Sequence, residues 1–73
     1  MFEKVFINTE FITLAQFLKL TGTIGNGGEA KFFLQENLVI VNHEEENRRG
    51  RKLYPGTFVE VFGKIYVIKS NEN

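Results

Sequence analysis

The chain has 73 residues, 42% of them apolar, with eight Phe and two Tyr that can fill the core of one small domain. It has no cysteine, which excludes disulfides and thiolate metal sites and fits a cytoplasmic setting. Nine Lys and Arg balance nine Glu, which argues against an indiscriminate polyanion binder but leaves room for local patches.

In chain order, the start at Met1-Phe2-Glu3-Lys4 lacks the basic and apolar stretches of a signal peptide. No apolar run approaches the ~20 residues that cross a bilayer, so no membrane partner is expected. Val5-Phe6-Ile7 predicts a short strand. Residues 12–22 predict a first helix: Thr13 with Gln16 makes a capping box, and Ile12 with Phe17 a hydrophobic staple. Leu14, Phe17, Leu18 and Thr21 share one face, and Gly22 is a natural stop. Residues 22–28 predict a glycine-rich turn. A second helix is expected from Asn26, with Glu29 as capping partner, Ala30, Phe33 and Leu34 buried, and Asn37 as a left-handed stop.

The period then shortens. Leu38-Val39-Ile40-Val41 predicts a buried strand, Asn42-His43 a turn, and Tyr54-Pro55-Gly56-Thr57 a type II turn. Phe58, Val59 and Val61 predict a strand ended by Gly63, and residues 65–68 predict the last one. The expected fold class is α+β: a two-helix hairpin packed on a small antiparallel sheet, one domain over 1–73.

Most motif-like features have bland explanations. Gly25-Asn26-Gly27-Gly28-Glu29-Ala30 matches a dinucleotide fingerprint in form, but a helix precedes it where a strand is required. The glycines are better read as a helix–helix turn whose backbone N–H groups make a modest anion site. His43 and Ser70 have no catalytic or metal-binding partners in sequence, so no enzyme activity, metal or cofactor is expected. Glu44, Glu45 and Glu46 fit a solvated turn or a counter-charge to the arginines that follow.

Those arginines are the informative feature. Arg48-Arg49-Gly50-Arg51-Lys52 places four cations within five residues. Guanidinium groups bond phosphate in a bidentate manner and stack on bases, and Gly50 lets backbone approach a ligand. The same run could instead dock an acidic protein surface, the adaptor alternative. Lys19 and Lys31 are each offset from the apolar face of their helix and could share one outer surface with the run.

The ordered set Thr13-Leu14-Ala15-Gln16-Phe17-Leu18-Lys19, Gly27-Gly28-Glu29-Ala30-Lys31, Val39-Ile40-Val41-Asn42, Asn47-Arg48-Arg49-Gly50-Arg51-Lys52-Leu53 and Pro55-Gly56 resembles the S-four RNA-binding domain, or αL motif. The match runs over about residues 11–63 and is closest to stand-alone bacterial members of the YaaA/YbcJ type. The resemblance implies structured RNA as partner, often ribosomal or transfer RNA, held across the helices and the adjoining loop in ribosome assembly or translation; ribosomal RNA or a ribosomal particle is the partner expected here, and a monomer the expected state. It places Arg48, Arg49, Arg51, Lys52, Lys31, Lys19, Asn42 and the Gly27-Gly28 backbone in the RNA site. Three positions depart from the family pattern. Thr13-Leu14-Ala15 stands for the usual Arg-Leu-Asp, Asn26-Gly27 for Ser-Arg, and Thr57 for Asp. Two helix contacts to RNA are thereby missing, which shifts the burden to the basic loop.

Overall fold

The computed structural model describes residues 2–71. Its elements are β1 (Phe2–Ile7), β2 (Ile12–Thr13), α1 (Leu14–Leu20), a 3-10 turn (Gly27–Glu29), α2 (Ala30–Glu36), β3 (Val39–Val41), β4 (Glu44–Glu45), β5 (Lys52–Leu53), β6 (Phe58–Val61) and β7 (Lys64–Ser70). This is the expected α+β arrangement. Five strands form one sheet in the order β1-β7-β6-β3-β4, and β2 pairs with β5 in a second, two-stranded ladder. The sheet is mixed rather than wholly antiparallel, because β1 lies parallel to β7 with Val5 opposite Ile68. A parallel pair needs a long crossover, and everything between the first and last strands supplies it.

Helix α1 begins as its sequence dictates. The Gln16 N–H donates to Thr13 Oγ1 at 3.2 Å, and the Thr13 N–H donates to Gln16 Oε1 at 2.8 Å. Its end is a Schellman motif: Gly22, at φ +79°, donates to the Lys19 carbonyl at 3.0 Å, and Thr23 donates to Leu18 at 2.9 Å. The helix buries Leu14, Phe17 and Leu18.

The second helix departs from expectation at both ends. Asn26 makes no side-chain cap, and Gly27–Glu29 form a 3-10 turn before α2. Glu29 reaches back instead to Gly25, whose N–H donates to Oε1 at 2.7 Å. Asn37 is extended, at φ −132° and ψ 143°, rather than left-handed. Its Nδ2 donates to the Phe33 carbonyl at 3.1 Å, so it closes the helix by side chain while the backbone runs on toward β3.

The turns between strands are set by residues at positive φ. Asn42 (φ 49°) and His43 (φ 71°) join β3 to β4, and Phe62 (φ 54°) and Gly63 (φ 78°) join β6 to β7. Both are two-residue connections of the type I′ pattern, whose twist suits a hairpin. The Tyr54–Thr57 turn is as expected, with Gly56 at φ 95° and the Thr57 N–H donating to the Tyr54 carbonyl at 3.0 Å.

The core lies between the helices and one face of the sheet. Leu14, Phe17, Leu18, Ala30 and Leu34 meet Val5, Ile7, Val39, Val41, Val59, Val61, Tyr66 and Ile68. Phe17 stands edge-on to Tyr66, with ring centroids 5.2 Å apart. Leu53, from the two-stranded ladder, is fully buried in the same cluster and ties that ladder to the core.

Candidate nucleic-acid interface

The basic run is fixed to the start of α1. β5 pairs with β2 so that Leu53 faces Ile12 and Lys52 faces Thr13. Beyond that pair, the Leu14 N–H donates to the Arg51 carbonyl at 2.8 Å and the Ala15 N–H to the Arg49 carbonyl at 2.9 Å. The first turn of any helix leaves backbone donors without intrahelical partners. Here the carbonyls of the basic loop accept two of them, and Thr13 accepts the next from Gln16. The loop itself turns tightly, with the Arg51 N–H donating to the Arg48 carbonyl at 3.1 Å.

Glu46 sets the side chains. Its own side chain is only 6% exposed, whereas that of Arg48 is 72% exposed. The Arg48 guanidinium grips the carboxylate through Nε at 2.9 Å and Nη2 at 3.0 Å, and the Arg48 backbone N–H adds a bond at 3.0 Å. Arg51 Nη1 adds a fourth at 2.6 Å. These charge-assisted bonds are of the strong kind. They lower the Glu46 carboxyl from 4.5 to about 2, chiefly through the side-chain bonds from Arg48, with burial opposing and Arg51 adding to the drop. The same pairing raises the Arg48 guanidinium further above its ordinary value. Of the glutamate triplet, then, one is the counter-charge, while Glu44 and Glu45 form β4 and are exposed.

The loop therefore carries two kinds of cation. Arg48 and Arg51 are oriented by Glu46. Arg49 is exposed, and its side chain makes no hydrogen bond or ion pair among the described residues. Among the described residues Lys52 meets no carboxylate either; its Nζ lies 4.9 Å from the centroid of Phe11, which packs 5.5 Å from the ring of half-exposed Tyr54. Within residues 46–52 one carboxylate stands against four cations, and the exposed Glu44 and Glu45 precede them.

The remaining candidates lie around this loop to different degrees. Lys31, exposed on α2, lines an open groove of about 670 Å³ with Leu34, Gln35, Leu38, Glu45, Glu46 and Asn47, so the helix shares a depression with the segment that leads into the basic loop, while residues 48–52 lie outside its lining. Gly27 and Gly28 form the exposed 3-10 turn leading into the same helix. Lys19 is exposed in the last turn of α1 and lies outside that groove. Asn42 is engaged in the sheet: its N–H donates to the Phe58 carbonyl and its Oδ1 accepts from the Phe58 N–H, each at 2.9 Å. Nothing local in the sequence sets Glu46 apart from Glu44 and Glu45, or marks Phe11 as the platform under Lys52. Phe11 meets Lys52 only because β2 lies beside β5, and Glu46 differs from Glu44 and Glu45 by its burial against Arg48 and Arg51.

The model of the S4 domain matches residues 5–69, wider than the span that carries the motifs and reaching from within β1 to within β7. The chain is 54% identical over 70 residues to the "Probable ribosome maturation protein RlbA" of Bacillus subtilis (strain 168), covering 93% of this chain and 99% of that protein. With a family match along almost its whole length and a relative this similar end to end, the chain belongs to the S4 domain family.

Proposed function

We propose that the chain is a non-enzymatic binder of structured RNA that acts on ribosomal RNA during ribosome maturation. The observation that carries this reading is the pre-ordered cationic loop. Glu46 and the first turn of α1 hold residues 48–52 in one shape, while Arg49 and Lys52 keep their charges for an outside anion. Ordering the loop before contact lowers the entropy lost on binding. Membership of the S4 family and the ribosome maturation relative support the class of partner.

The register of the small ladder supports a further point. Thr13 stands where the wider family often has arginine, and its cross-strand partner is Lys52. The loop thus brings a cation beside the position where the helix lacks one. Arg48, Arg49, Arg51 and Lys52 are the principal contacts in this proposal, with Lys31 across the groove. Lys19, Asn42 and the Gly27-Gly28 backbone extend the surface. Most of the affinity comes from phosphate neutralisation and depends on salt. Crosslinking of the protein to RNA in cells, followed by sequencing, tests the partner. Ribosomal RNA is the expected product, and crosslinks spread without preference over cellular RNA would refute it.

A further inference from the structure

We propose that the face formed by α2 and the β6–β7 turn docks a basic protein segment bearing an aliphatic or aromatic anchor. The observation begins at Phe62. A bulky aromatic at positive φ is uncommon and strained, and the first position of such a two-residue turn favours Asn, Asp or Gly. Phe62 sits there at φ 54° and is 73% exposed. It is not merely idle surface, because Phe33 of α2 packs edge-on against it with centroids 5.7 Å apart. Leu38 and Phe32 flank the pair at 55% and 66% exposure.

Two shallow depressions meet on this face and share Glu36 and Asn37. One is lined by Leu38, Ile40 and Phe62 with Glu36 and Glu60; the other by Ile24, Phe32 and Phe33 with Glu29 and Glu36. Among the described residues no lysine or arginine lines either one, and neither Glu36 nor Glu60 has a cation partner. α2 therefore divides its surface: Lys31 and Gln35 line the groove beside Glu45 and Glu46, Phe32 and Glu36 line the other side, and Asn37 and Leu38 border both. The charge decides the occupant. Unpaired carboxylates repel phosphate and anionic lipid, whereas they attract a cationic polypeptide, and the rings offer its apolar side chain a seat. The protein then bridges two ligands of opposite charge with a net charge of zero.

The test uses the full chain without RNA and a synthetic peptide of alternating arginine and leucine, with a glutamate-for-arginine peptide as control. Titration followed by NMR should give saturable shifts at Glu36, Leu38, Phe62 and Gly63 with the cationic peptide alone. Phe62→Asn should raise the thermal midpoint, since asparagine relieves the turn, yet weaken the peptide about tenfold. Leu38→Ala should also weaken it, and Arg49→Ala should leave it unchanged. Absence of saturable shifts on this face overturns the proposal. So does undiminished binding by Phe62→Asn, or self-association through this face that the peptide cannot displace.

Discussion

Removing the charge of Glu46 while keeping its shape isolates what that side chain contributes. Glu46→Gln loses the charge-assisted character of four bonds, and a bond to a charged group contributes about 1.5–3 kcal/mol. Exposure of Arg48 screens part of this, so a loss of about 1–2 kcal/mol is expected by urea denaturation at pH 7. The pH dependence has a definite sign. A carboxyl held at about 2 in the folded state stabilises the fold fully above its ordinary value of 4.5 and loses that contribution as pH falls toward 2. The stability difference between the parent and Glu46→Gln should therefore shrink through this window. A difference independent of pH would show that the charge plays no part. Arg48 and Arg49 should also separate: Arg48→Ala lowers both stability and RNA affinity, whereas Arg49→Ala lowers affinity alone, by roughly tenfold.

At the scale of elements, the fold was legible in sequence where its cause is local. Thr13 and Gln16 sit three residues apart and satisfy each other whatever lies around them, so the start of α1 followed directly from the chain. The same holds for Gly22 and for the Tyr54–Thr57 turn. Thr13→Ala should cost about 1 kcal/mol in thermal or urea unfolding, the usual loss of a side-chain cap. It should also loosen the loop carbonyls that share this helix start, read as faster amide exchange at Leu14 and Ala15. What sequence did not show was distant pairing. Lys52–Leu53 is too short to announce itself as a strand and exists because Ile12–Thr13 lies beside it. Asn37 could have closed α2 in a left-handed turn, but β3 follows within two residues and draws the backbone into an extended path. The parallel course of β1 was hidden for the same reason, since its partner lies at the far end of the chain.

For the whole molecule, the zero net charge conceals a division. The positive loop is held against the start of α1, and the unpaired carboxylates lie with exposed aromatics beside α2 and the β6–β7 turn. The candidate cations could be named from sequence because four of them fall within five residues, but their separation into two oriented by Glu46 and two without a carboxylate partner among the described residues required the fold. That division is the central claim, and it is tested by the Arg49→Ala/Lys52→Ala double variant. Its affinity for a ribosomal RNA fragment with helices and loops should be measured over a range of salt beside the parent. The expected outcome is an unchanged thermal midpoint, an affinity lower by about a hundredfold, and a log–log salt slope shallower by about two. A folded double variant with the affinity and salt slope of the parent would contradict it.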